Sequence, residues 1–214
     1  MDIVLIALIA ATVLISAKGF NDLYFFRKYD FHIGSIRSGE QIRMISSGFL
    51  HADVMHLAFN MLTLYFFAPT VIDELGRLSF LLVYAVSLVA GSLLTLVLHK
   101  DDYSYRAIGA SGAVTGILFS AILLDPNLGV GLMFLPGIAI PGWLFGILYL
   151  AYSIYGMRAK IDNIGHTAHF GGAIGGYAIT LLYRPHIFTD DTFTVIALAL
   201  PIAALFIMER FGKL

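Results

Sequence analysis

Seven long apolar runs succeed one another along the chain, at about 2–18, 54–72, 78–98, 108–124, 129–155 (with a break), 165–183 and 193–209. A run with no polar face has nothing to show to water, and backbone groups placed in lipid must bond within their own segment. Helices are therefore expected, since a membrane barrel would alternate polar and apolar positions. Several runs fall slightly short of the ~20 residues that cross a bilayer, and flanking aromatic residues extend them. The charge supply agrees: 13% of the 214 residues are charged and 59% are hydrophobic, about half the charge fraction of a soluble domain. The expected class is an all-α polytopic membrane protein, with residues 1–214 forming one helical bundle in a lipid bilayer. A net charge of −1 and no basic stripe argue against a nucleic-acid partner. The absence of cysteine excludes disulfides, thiolate metal sites and cysteine nucleophiles. The first run lacks the basic start of a signal peptide and reads as a retained helix.

The longest connection, Lys18 to Leu50, mixes Arg27, Lys28, Arg37 and Arg43 with Tyr24, Phe25, Phe26, Tyr29, Phe31 and Phe49. That mixture suits an amphipathic piece in the membrane interface, and Ser46-Ser47-Gly48 signals a turn after it. Glu74 and Arg77 are spaced to pair at a helix end, and His99 reads as a solvated loop residue. Pro136-Gly137 and Pro141-Gly142 break the fifth run, so its spanning part is expected over 141–157, with 129–140 a short or interfacial piece.

Three places carry chemistry, each at the start of an apolar run: His51 through His56 to Asn60, Gly109-Ala110-Ser111-Gly112, and Ala168-His169 through Gly172 to Gly176. Consecutive spans alternate direction, so the second, fourth and sixth begin on one membrane side. Asn60, Ser111 and His169 then lie roughly 5–10 Å below that surface, where polar groups are costly unless they bond to one another or to water. Gly112 and Gly116 are four apart, as are Gly172 and Gly176, a spacing that lets helix backbones approach closely. Docking span four on span six brings the Ser111 hydroxyl toward the His169 imidazole.

A serine attacks a carbonyl only when a neighbouring base takes its proton, and the resulting oxyanion needs donors. His56 and Asn60, four apart, project from one helix face and supply such donors beside the Ser111 backbone N–H. No acid lies at matching depth to orient His169, so a Ser–His dyad is expected. His51, at a loop–helix junction, reads as structural support, and His166 as interfacial. Bland readings stand beside these: serine bonded to its own helix, and His56 and Asn60 stapling two helices. The soluble-hydrolase elbow G-x-S-x-G does not apply, because Ala113 occupies its last position. Four histidines invite zinc, but H-E-x-x-H is absent and no acid is buried nearby, so no metal is expected.

These motifs resemble the rhomboid family of intramembrane serine proteases, over about Gln41 to Tyr183. The family's G-x-S-G appears as Gly109 to Gly112, its A-H-x-x-G-x-x-x-G as Ala168 to Gly176, and its second-span pattern as His51, His56 and Asn60. Glu74-Leu75-Gly76-Arg77 is similar to its stretch after that span. The resemblance implies a six-helix core with the last run, 193–209, as a seventh span. It implies cleavage of transmembrane substrates without a cofactor, by Ser111 and His169 with oxyanion roles for His56 and Asn60, and lateral substrate entry near spans two and five. Three departures stand out: Ile42-Arg43 replaces a Trp-Arg pair, Thr115 replaces an aromatic residue one turn after the serine, and the seventh span makes this a six-plus-one form.

Orientation draws opposite signals. Eleven of the thirteen Lys and Arg residues lie in the first, third and fifth loops and the C-terminus, which the positive-inside tendency places in the cytoplasm. The family topology puts that side outside, and the expectation follows the family, in a bacterial inner membrane. The alternatives are a non-catalytic rhomboid-like protein that binds or escorts client helices, and a transporter, which would need ionisable residues along a path.

Overall fold

The computed structural model describes residues 2–131, 137, 139–159 and 165–212. It contains seven long helices: α1 Ile3–Asn21, α2 Val54–Leu75, α3 Arg77–Leu98, α4 Ser111–Leu124, α5 Gly142–Ala159, α6 His166–Tyr183 and α7 Thr192–Arg210. Carboxylates start three of them. Asp2 accepts from the Val4 N–H at 2.8 Å, Asp53 from His56 N–H at 2.8 Å, and Asp191 from Thr194 N–H at 3.1 Å. Each bond satisfies a donor that the first helical turn would otherwise orphan. Gly76 alone separates α2 from α3, at a φ of +83° that suits glycine.

Helices α1, α2, α3 and α7 are long and apolar enough to cross a membrane. Large apolar side chains face outward on each, including Leu14, Phe66, Leu78 and Leu200. So much exposed apolar surface suits acyl chains rather than water. Helix α4 differs. Its 14 residues reach only about 21 Å, less than the ~30 Å hydrocarbon core, and every residue from Gly112 to Leu123 is buried. A helix apolar all round belongs inside a bundle. One side, with Ala113, Val114 and Ile117, packs among Leu64 of α2 and Val83 of α3. The other, with Phe119 and Ile122, packs among Leu150 of α5, Phe170 of α6 and Leu198 of α7. Ser111 therefore starts a short helix enclosed by its neighbours.

The glycine rows do two jobs. A Cβ on Gly172 would run into the Gly112 carbonyl, and one on Gly176 into the Gly116 carbonyl, so α4 and α6 meet backbone to backbone as the spacing predicts. Gly171 and Gly175 face α3 instead, where a Cβ would stand 2.6 Å from Gly91 Cα and 2.8 Å from Ser87 Cα. Helix α6 is thereby wedged between α3 and α4.

The first loop is more ordered than an interfacial piece requires. It holds short helices at Leu23–Tyr29, Ile33–Arg37 and Arg43–Ser46, and a strand β1, Phe31–His32, paired antiparallel with β2, Arg106–Ala107. Leu23 and Tyr24 stay exposed, as interfacial residues do. Its centre is Asp30, whose side chain is 1% exposed. Arg43 Nη1 reaches Asp30 Oδ1 at 2.9 Å, Arg106 Nη1 reaches Oδ2 at 2.7 Å, and Arg27 Nη1 lies 3.5 Å from Oδ2. Of the Ile42-Arg43 pair, the arginine is buried and does the anchoring, while Ile42 is exposed.

The fifth run divides close to where expected: its spanning helix runs from Gly142 to Ala159, and before it β3, Gly129–Gly131, pairs with β4, Ala139–Pro141; Pro136 lies outside the described residues. Three expectations need correction. Arg77 pairs with Asp2 at 2.7 Å rather than with Glu74, because the start of α1 stands beside the α2–α3 turn; the Glu74 carbonyl accepts from Arg184. His99 stacks on Tyr105 with ring centroids 3.9 Å apart instead of standing in solvent. His166 is buried, not interfacial: its ring fills the space that a Cβ on Gly156 of α5 would occupy.

Candidate active site

Ser111 is the first residue of α4 and half-buried. The backbone before it is pinned twice, by the Gly109 N–H donating to the Ser47 carbonyl at 3.0 Å and the Ala110 N–H donating to His51 Nε2 at 3.3 Å. Gly109 has a φ of +116°, and a Cβ there would stand 2.8 Å from the His56 ring. Both facts demand glycine. The Ser111 carbonyl accepts from Thr115 Oγ1 at 2.7 Å. Ala110 gives no side-chain cap, so the N–H groups of the first turn, Ser111 included, lack partners within the helix.

His51 is fully buried and its tautomer follows from its neighbours. Nε2 accepts from Ala110, so Nδ1 carries the proton and donates to Ser16 Oγ of α1 at 2.8 Å; that hydroxyl donates onward to the Phe49 carbonyl at 2.9 Å. His51 thereby links α1 to the backbone beside Ser111. Burial, and next the neighbouring His56, lowers its pKa from 6.5 to about 3. Above pH 6.5 the ring is neutral whether the chain is folded or not. Below that, the unfolded chain takes a proton that the folded one refuses, so stability falls as pH drops from about 6.5 toward 3, by up to about 1.4 kcal/mol per pH unit. Thermal unfolding in detergent at pH 7.5 and pH 5 checks this: His51→Gln should lose less between the two than the parent, and equal losses would contradict the assignment.

His56 presents its ring to Gly109 on one side of the α4 start. Asn60 is buried one turn further along α2, and its Nδ2 donates one hydrogen to the His56 carbonyl at 3.0 Å. The amide retains a second N–H. His169 sits in the first turn of α6, 6% exposed. A Cβ on Gly112 would stand 3.0 Å from the carbonyl oxygen of Ala168. The residues adjoining that contact are Ser111 on α4 and His169 on α6. The three expected starts are thus brought to one region of the bundle. A cavity of about 30 Å³ reaches Ser111 and Gly112, with the hydroxyl-bearing Ser47, Ser92 and Thr95 in its wall; one water needs roughly half that volume.

Sequence reasoning missed two neighbours of His169. Tyr149 of α5 stacks on the imidazole, with centroids 5.3 Å apart and planes 26° from parallel, and Ser153 Oγ lies 3.5 Å from Nδ1. The signal was present, a tyrosine and a serine four apart on a spanning helix, yet four other aromatic residues share that helix. Among the described residues no three His, Cys, Asp or Glu side chains converge to hold a metal ion.

Comparison with known proteins agrees with this architecture. The family model described as Rhomboid domain matches residues 38–186. RHOMBOID-like protein 12, mitochondrial, of Arabidopsis thaliana is 30% identical over 188 residues, 80% of this chain and 55% of its own length. The Bacillus subtilis protein YdcA is 34% identical over 149 residues, 69% of each chain, and the rhomboid protease GluP of the same organism is 33% identical over 142 residues, 66% of this chain and 26% of its own. The chain therefore spans about half the length of the plant relative and a quarter of GluP. With mitochondrial and bacterial proteins both represented, the bacterial inner membrane is not singled out. An apolar bundle with these motifs, matched over most of its length, belongs to the rhomboid family of integral membrane proteins.

Proposed function

We propose that the protein is an intramembrane serine endopeptidase that cleaves transmembrane segments of membrane-anchored proteins. The observation that supports this reading is the α4–α6 glycine contact, in which a Cβ on Gly112 would stand 3.0 Å from the Ala168 carbonyl oxygen, Gly112 and Ala168 being next in the chain to Ser111 and His169. Ser111 Oγ attacks the scissile carbonyl carbon while His169 takes its proton. Asn60, His56 and the Ser111 N–H hold the oxyanion, each such donor supplying roughly a hundred- to a thousandfold in rate. The tetrahedral intermediate collapses when His169 returns the proton to the leaving amine. Water then attacks the acyl-enzyme by the same proton path, and the cavity beside Ser111 is of a size to hold it.

The substrate reaches a site below the membrane surface, so it is a helix that unwinds near the interface to expose one carbonyl. That its relative GluP is a rhomboid protease supports the same reading. The test is purified protein in liposomes with single-span substrate proteins, products identified by mass spectrometry. A discrete cut near the membrane boundary is expected. Stable binding of those proteins with every one left intact would overturn the reading in favour of a client-holding membrane protein.

A further inference from the structure

Three side chains of α5, Phe145, Tyr149 and Ser153, follow one another at four-residue spacing and so form one row on the helix. The row points at His169. Phe145 stacks on Tyr149 with centroids 6.0 Å apart and planes 18° from parallel, and Tyr149 stacks in turn on His169. The Tyr149 hydroxyl lies 3.1 Å from Thr115 Oγ1. Because Thr115 spends its own hydrogen on the Ser111 carbonyl, the tyrosine is the donor in that bond. A single chain of contacts therefore runs from the Ser111 backbone through Thr115 and Tyr149 to the His169 ring. Ser153 completes it at the ring edge, 3.5 Å from Nδ1, a distance at which apo hydrogen bonds of this kind often stand before tightening.

We infer that Tyr149 and Ser153 of α5 are positioning residues for His169, so that the base is aimed at Ser111 only while α5 is docked against α4 and α6. This rests on the protease reading above. The tyrosine fixes the plane of the imidazole. The Ser153 hydroxyl accepts from Nδ1–H and leaves Nε2 as the nitrogen that takes a proton from Ser111. Thr115 is too small to support the ring itself, and its hydroxyl instead ties the supporting tyrosine to α4.

The experiment is steady-state kinetics on one cleaved transmembrane substrate with Tyr149→Leu, Tyr149→Phe and Ser153→Ala, each checked for an unchanged unfolding midpoint. Tyr149→Leu should lower kcat about 10- to 100-fold with KM within threefold. Tyr149→Phe should restore kcat to within about threefold of the parent, because the stacking face returns. Ser153→Ala should lower kcat about tenfold, also without a change in KM. Parent-like kcat in a folded Tyr149→Leu, or equal losses in the Phe and Leu variants, would overturn the inference while cleavage by the parent leaves the protease reading standing. If Tyr149→Leu fails to fold, Ser153→Ala decides: a parent-like kcat overturns the inference and a KM-neutral loss supports it. A parent protein that cleaves nothing removes the reading itself.

Discussion

Replacing Ser111 by alanine should lower turnover of a transmembrane substrate by about ten-thousand-fold or more, with little change in the unfolding midpoint. The methyl group keeps the volume at the half-buried start of α4, and among the described contacts Ser111 serves the fold through its carbonyl, which alanine also offers to Thr115. On the proposed mechanism alanine lacks the nucleophile, and the proposed oxyanion donors would then supply only residual catalysis. His169→Ala should cost a similar factor, and the double variant little more than either single one, because a nucleophile and its base act as a unit. Kinetics on the three variants check this. Fully multiplicative losses would mean that the two residues act separately.

The second large effect concerns stability. Asp30→Ala should destabilise the fold by roughly 3 kcal/mol, the lower end of what is lost when one member of a buried ion pair is removed. Arg43 carries the penalty, since its side chain is only 8% exposed and loses the 2.9 Å contact to Asp30. It retains Glu40 at 2.6 Å and the Arg27 and Asp30 carbonyls at 2.8 and 3.0 Å, which holds the loss down. Arg106 is 37% exposed and water takes over its solvation. Activity should fall too, because Arg106 lies on the strand β2 that leads into Gly109 and Ser111. Chemical unfolding in detergent measures the stability change, and a loss below about 1 kcal/mol would show that the cluster is not the anchor described. Three of the eleven cations behind the positive-inside count, Arg27, Arg43 and Arg106, are held by this one carboxylate. That weakens the charge argument against an outward-facing site.

How much was legible in the sequence follows from the kind of signal each residue gives. Glycines at four-residue spacing on two apolar runs encode a backbone contact directly, because nothing larger fits, and the α4–α6 docking came from them. His51, His56 and Asn60 were readable as a group because a helix start fixes which residues share a depth. The row on α5 was not. Which of Trp143, Phe145, Tyr149, Tyr152 and Tyr155 meets His169 depends on the rotation of α5, and packing against α6 and α7 sets that. The burial of His166 is hidden from the sequence for the same reason, since it comes from Gly156 on a different helix. Asp30 finds partners 13 and 76 residues away, a pairing that no local pattern records. Arg77 chose Asp2 over Glu74 because the chain start folds back beside the α2–α3 turn.

The most direct test is labelling by a fluorophosphonate, which loses fluoride to a hydroxyl oxygen made nucleophilic by a neighbouring base. One modification is expected, on Ser111, found by mass spectrometry in the parent protein and slowed at least a hundredfold in folded His169→Gln. An unmodified Ser111 in folded parent protein, or equal labelling rates in the two, would contradict the proposed mechanism.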